Sequence, residues 1–271
     1  MIIGWKDKIA DAALSTGSNV QLTVENAKVN PLAKPFRGAN SSGFGGGQNE
    51  TTLQILWDYG SQTDWNLFAA LPAGQGFDVL TNTDIRVRLS NTSAGGTDVY
   101  DSGAISGGAL VGYRQLYHRL PLTKTARYGA FDITVNAVVD AIDVGRFLGY
   151  GGSGALSGYW APPVGQSYGD SFSWQDDSDT RKTLGRQRLE RPLPRYRRGR
   201  FKLGFNTEAE MMDNAFEIAR ENGVVGDVLV MARPDDYPQK RSIFGPITRV
   251  QEFNHDSFDK VSVEYTVEQR L

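Results

Sequence analysis

The sequence predicts a mostly β protein: a β-sandwich over residues 1–150, then a smaller antiparallel β domain carrying one packed helix. Three observations predict it. Ile85, Val87 and Leu89 alternate with Arg86, Arg88 and Ser90, the period-2 pattern of a strand with one dry and one wet face. The chain holds 31 glycines and 11 prolines, which punctuate it into many turns and short strands. Helical spacing behind a start signal occurs once, from Thr207.

Along the first part, Val20 to Val24 reads as an early strand, interrupted by Asn30-Pro31 and Lys34-Pro35. Ser41 to Gly47 is a Gly-rich loop. Leu53 to Gly60 reads as a strand ending in a turn, and Trp65 to Leu71 as a second strand stopped by Pro72. Asp84 to Ser90 follows, then the Asn91-Thr92-Ser93-Ala94-Gly95-Gly96 loop and the extended Val99 to Gly103. Tyr113 to Leu120, Ala130 to Val135 and Val138 to Leu148 complete the expected strands.

Gly151-Gly152-Ser153-Gly154 marks a boundary, so residues 151–194 are expected to be a Gly/Pro/Arg-rich linker and extended arm. The domain over 195–271 opens with a strand from Arg195 to Phe205. A helix then covers 207–222: Thr207 and Glu210 make a capping box, and Met212, Ala215, Phe216 and Ala219 form its apolar stripe. Asn222-Gly223 ends it. Val228 to Ala232, Ser242 to Val250 and Lys260 to Val267 are the remaining strands.

Composition excludes several classes. There is no cysteine, hence no disulfide, thiol nucleophile or thiolate metal site. No apolar run approaches the ~18 residues of a membrane span. Met1-Ile2-Ile3-Gly4-Trp5-Lys6 lacks the layout of a secretory leader, so a soluble protein made in the cytoplasm is expected. The net charge of -2 conceals an asymmetry: ten Lys/Arg and one acid, Glu190, lie between Arg181 and Lys202, leaving 19 basic against 30 acidic residues elsewhere.

The order Trp57-Asp58-Tyr59-Gly60, Trp65 to Leu71, Ile85 to Ser90-Asn91-Thr92 and Val99-Tyr100-Asp101-Ser102-Gly103 resembles the galactose-binding-like (discoidin-like) jelly-roll sandwiches. That resemblance implies a binding or docking module. From about Trp174 onward, Arg198-Gly199-Arg200-Phe201-Lys202-Leu203, Thr207-Glu208-Ala209-Glu210, Asn214-Ala215-Phe216 and Gly226-Asp227-Val228-Leu229-Val230 resemble a C-terminal region of phage tail-tip and baseplate proteins, with a tail-tube or distal-tail outline. This second resemblance implies a structural virion protein of the phage tail, partnered by other tail proteins and by copies of itself.

Catalytic and metal chemistry find little purchase. His118 and His255 are the only histidines, and neither has triad or ligand partners at fitted spacing, so both are read as structural or solvated. Asp176-Asp177-Ser178-Asp179 lacks the glycine and distal glutamate of a calcium loop and reads as an acidic turn. Gly43 to Gly47 lacks the Lys-Ser/Thr of a phosphate cradle. No cofactor, metal or enzymatic activity is expected. Trp57, Trp65, Tyr59 and Tyr113 admit a sugar platform, although Trp57 and Trp65 fit a core better. Tyr59, Tyr100 and Asp101 are therefore the glycan-contact candidates.

For the basic window three readings stand: nucleic acid, a subunit contact, or a solvated strand face. Eight of its ten cations are arginine, which favours paired contacts, so Arg181, Arg186, Arg188, Arg191, Arg195, Arg197, Arg198 and Arg200 are expected at a subunit interface. Neither nucleic acid nor membrane insertion is expected. The leading expectation is tail-tip assembly with display of a glycan-binding module. The alternative is a carbohydrate- or host-receptor-binding module, and a polysaccharide depolymerase comes last.

Overall fold

The computed structural model describes residues 1–17, 20–28, 36–39, 51–72, 83–106, 115–135, 141–152, 157–163, 170–182, 188–191, 193, 195–236, 238, 240–257 and 260–270. The Gly-rich tract 41–47, Tyr113 and Arg186 lie outside these. The chain forms two compact units, Lys6–Tyr159 and the combination of Met1–Trp5 with Trp160–Leu271. The first residues therefore leave the expected sandwich. Ile2, Ile3 and Gly4 pair antiparallel with Met231, Val230 and Leu229. Met1-Ile2-Ile3 is apolar without alternation, as suits a strand with both faces covered, and Ile2 and Ile3 are each 1% exposed.

In the first unit the strands run in the order Val20–Leu22, Phe36–Ala39, Ala141–Tyr150, Thr51–Pro72, Leu116–Val135, Thr83–Ser90, Tyr100–Asp101. Ala13–Ser15 adds to Thr51–Pro72, and Ile105–Ser106 adds to Thr83–Ser90. Two strands differ from the sequence reading. Leu53 to Gly60 and Trp65 to Leu71 are parts of one 22-residue strand, and Ala130 to Val135 belongs with Leu116 to Leu120 in one of 20. Bulges replace the expected turns. Asp58 and Thr63 bracket extra residues opposite Tyr128 to Ala126, and the partner strand carries the excess between Lys124 and Arg119, opposite Trp65 and Leu67. Each offset bends the ribbon while the ladder continues. Gly60 serves the first offset at φ 84°, where other residues are strained.

The bent ribbon supplies both layers of a sandwich. Trp57, in its first half, lies 5.1 Å from Phe68 in its second, and Phe131 lies 5.1 Å from Phe147. Leu53, Ile55, Trp57, Ile85, Val87, Leu89, Phe131 and Ile133 fill the space between, all buried.

In the second unit's sheet the order is Tyr159–Trp160, Ile2–Gly4, Asp227–Met231, Ser242–Val250, Lys260–Glu268, Tyr196–Thr207, Ser171–Gln175, with Asn254–Ser257 on Lys260–Glu268. Residues expected as linker thus supply strands here. Asp179–Lys182 and Arg188–Arg191 form a separate hairpin.

The helix starts as expected. Glu210 N–H donates to Thr207 Oγ1 (3.3 Å) and Thr207 N–H donates to the Glu210 carboxylate (3.1 Å). Its middle, Met211–Phe216, is a π-helical segment between Glu208–Glu210 and Glu217–Asn222. The wider turn rotates the apolar face, so Met211, Ala215 and Ile218 are buried while Met212 and Phe216 are 37% and 44% exposed. The stripe expected at Met212 and Phe216 is corrected accordingly. Tyr265 Oη, rising from the sheet, donates to the Ala215 carbonyl at 2.6 Å, which satisfies the backbone at this wide turn.

Candidate functional site

Tyr59, Tyr100 and Asp101 do not form one site. Ladder pairs Trp57–Gly129, Gly129–Leu89 and Leu89–Tyr100 put two strands between the Tyr59 and Tyr100 strands. Tyr59 turns against the core, edge-on to Trp65 at 5.9 Å. Tyr100 Oη lies 3.0 Å from His118 Nε2, joining the two layers. Asp101 is engaged by Arg86, whose Nε donates at 2.8 Å, and these hydrogen bonds hold its carboxyl at about 2. Trp57 and Trp65 are fully buried, so neither offers a sugar platform.

His118, read from the sequence as structural or solvated, alternates with the buried Leu116 and Leu120 and faces inward. Burial holds its pKa at about 4, against an ordinary 6.5. As pH falls below 6.5 the unfolded chain takes up this proton and the folded chain does not. Stability is therefore lost between pH 6.5 and 4, by up to about 3 kcal/mol. Above pH 6.5 the group contributes no slope. Urea unfolding at pH 7 and pH 4.5 checks this: His118→Gln should flatten that interval, and an unchanged slope would rule the assignment out. Asp101, depressed to about 2, loses its contribution only below the carboxylate's ordinary 3.8.

His255 is exposed and lies in the strand Asn254–Ser257 opposite Val261. Among the described residues, no group of three or more His, Asp or Glu is arranged to hold a metal ion. Asp176 makes a local turn, accepting from Ser178 N–H (3.0 Å) and Arg195 Nε (2.8 Å).

The arginines separate by environment. Arg197 is 7% exposed and donates to the carbonyls of Lys240 (3.1 Å) and Ser242 (2.8 Å) and to Gln269 Oε1 (3.2 Å). It is a core residue, and its expected place at a subunit contact is corrected. Arg198 is paired with Glu268 (2.8 Å from Nε). Arg195 is paired with Asp176. Arg191 is exposed opposite Asp179, and Arg181 and Arg188 sit in the hairpin opposite Leu189 and Lys182. Arg200 is exposed.

The polar groups that do converge lie at one corner of the first unit, where the ribbon bends. Arg127 donates from Nε and Nη2 to both oxygens of Asp58 (2.7 and 2.8 Å), and its guanidinium stands 4.7 Å from the centre of the Tyr128 ring. Arg127 N–H donates to Asn91 Oδ1 (3.1 Å), and Asn91 N–H donates to Asp98 (3.0 Å). Thr125 Oγ1 donates to Asp64 (2.6 Å).

The sequence builds this corner locally. Ser90 Oγ accepts from Thr92 N–H (2.9 Å) and Ser93 N–H (3.1 Å), turning the chain as soon as the strand ends. Gly95 provides a positive φ of 83°, and its carbonyl accepts from Arg88 Nη1 at 2.6 Å. Arg88 is itself clamped by Asp132 (2.7 Å), which Gln54 also supports (2.9 Å). Asn91 and Asp98 are thereby fixed at the surface. Hydrogen bonds lower the pKa of both acids, Arg127 being the main cause at Asp58 and Ser90 at Asp98, so each stays an acceptor at neutral pH. Sequence reasoning missed Arg127, whose partner stands 69 positions away. The one usable signal was Asp58-Tyr59-Gly60, an acid at a strand bend.

No family model matches the chain, and no curated protein matches it. Among solved structures it is similar to the lectin domain of lectinolysin in complex with Lewis b antigen (TM-score 0.40, 13% identity, 55% of this chain and 99% of that one). It is similar too to a chitosan-binding module of a chitosanase/glucanase from Paenibacillus sp. IK-5 (0.39, 16%, 54% and 99%). A third is a fucose-binding module from Streptococcus pneumoniae (0.38, 6%, 55% and 99%).

Proposed function

We propose that this chain is a carbohydrate-binding protein without catalytic activity, and that it takes a neutral sugar at the corner formed by Asp58, Asn91, Asp98, Arg127 and Tyr128. One observation carries the reading: these planar polar groups are exposed or half-exposed and already held by one another. A sugar hydroxyl both donates and accepts, and it is recognised by fixed carboxylate, amide and guanidinium groups that pay little entropy on binding. Asp58 and Asp98 supply acceptors, Asn91 and Arg127 supply donors, and the Tyr128 ring offers an amphipathic surface beside them.

A single small site of this kind has a Kd of about 1 mM, near -4 kcal/mol. Useful retention on a cell surface then depends on several copies acting together. Tail-tip assembly, the leading sequence expectation, draws no support from the corner.

The test is glycan-array and titration binding by the intact chain. Arg127→Ala should weaken a neutral ligand at least tenfold while leaving the melting curve nearly unchanged, because the pair with Asp58 is over a third exposed. A wild-type chain that retains no neutral glycan, or a variant that binds as before, overturns the proposal.

A further inference from the structure

The wet face of the second sheet carries a row of cations that the corner does not use. Cross-strand pairs Ser171–Arg200, Arg200–Thr266 and Thr266–Arg249 place these four residues in one row over four adjacent strands. The opposite face holds the core residues Phe201 and Tyr265 and the partly buried Val250 packed against them, so the row points away from the core. Arg200 and Arg249 are exposed, and Thr266 between them is 8% exposed. Their backbones are two strand spacings apart, about 10 Å.

What distinguishes this row is unspent charge. On the same face, Arg198 is engaged by Glu268, and Glu264 accepts from Gln251 Nε2 at 2.7 Å. Arg200, Arg249 and the exposed Lys202 meet no carboxylate or hydrogen-bond acceptor among the described residues. The rows on either side each set a cation beside an acid: Arg198 with Glu268, Lys202 with Glu264. Of these three rows, only the one through Thr266 carries cations with no acid beside them in the ladder.

We infer that this row binds an acidic polysaccharide, with uronate carboxylates on Arg200 and Arg249 and sugar hydroxyls on Thr266, Glu264 and Glu268. The choice of a sugar polymer rests on the carbohydrate-binding reading above; the choice of an acidic one rests on the row itself. Guanidinium groups accept carboxylates in a planar, two-bond geometry. A continuous line of phosphates along the strands would run onto Glu264, which no cation engages. A uronate polymer presents anions at intervals and hydroxyl donors between them, which suits a cationic row bounded by carboxylates.

The experiment is affinity electrophoresis of the full chain through gels containing polygalacturonate, neutral galactan or polyphosphate. Wild type should be retarded by polygalacturonate, and retardation should fall as salt rises. The double variant R200Q/R249Q should lose at least tenfold in apparent affinity for polygalacturonate and keep its binding to neutral glycan, with an unchanged melting curve. R127A should do the reverse. Retardation that survives R200Q/R249Q, or equal retardation of wild type by polyphosphate, overturns the inference. A wild type retarded by polygalacturonate but not by neutral galactan would count against the corner site and leave this one standing.

Discussion

Truncating Trp57 to alanine is expected to destabilise the first unit by about 3–5 kcal/mol, the largest single loss in that half of the chain. The ring is fully buried and touches Trp65 (5.8 Å), Phe68 (5.1 Å) and Phe147 (5.5 Å), side chains drawn from both layers. Gly129 faces it directly: a Cβ there would stand 2.2 Å from the indole. No small residue can refill that volume without moving both layers together. Trp57→Phe should cost less, because it leaves a smaller void and removes a buried indole N–H that has no partner among the described residues. Urea denaturation followed by fluorescence separates these outcomes. A loss under 1 kcal/mol for Trp57→Ala would mean that the layers do not close on this ring.

The second large effect concerns Arg197. Arg197→Ala should destabilise the second unit by about 2–4 kcal/mol, since it strands two backbone carbonyls that now accept from a charged donor and leaves Gln269 Oε1 only the backbone N–H of residue 197. Arg200→Ala, three residues along the same strand, should stay within about 0.5 kcal/mol, as exposed surface changes do. Thermal or chemical melts of both variants make the comparison. Equal effects would mean that the two arginines share an environment, against the alternation of the strand.

That contrast marks where the sequence could be read and where it could not. Arg195, Arg197, Arg198 and Arg200 are chemically alike, and a pooled count of cations suggested one common role. Alternation along Tyr196–Thr207 could have separated Arg197 from Arg198 and Arg200, but only once the core face was known. The partners of Arg197 come from Lys240, Ser242 and Gln269, 43, 45 and 72 positions away, and no local rule pairs them. The corner at Arg127 was hidden for the same reason. The row through Arg200, Thr266 and Arg249 likewise exists only as a product of sheet register.

Local signals fared well where backbone chemistry is local. Thr207 and Glu210 define the helix start, Gly223 its stop, and the period-2 run at Asp84 to Ser90 and the segment Ser242 to Val250 appear as strands with nearly the expected ends. They failed where a bend could be met by a bulge as easily as by a turn. Gly60 looked like a terminator, yet the ladder resumes beyond it at Thr63.

By itself the sequence determined the class of the chain: mostly β, two sheets, one capped helix, and apolar periodicities strong enough to say which strands would be buried. Only the tertiary structure decided that Met1–Trp5 joins the second unit, that two bent strands serve both layers, and which charges remain unspent at the surface. The physical reason is range. Hydrogen-bonded caps and side-chain alternation act over a few residues, whereas register, bulges and ion pairing are settled between segments that meet only after the chain has folded.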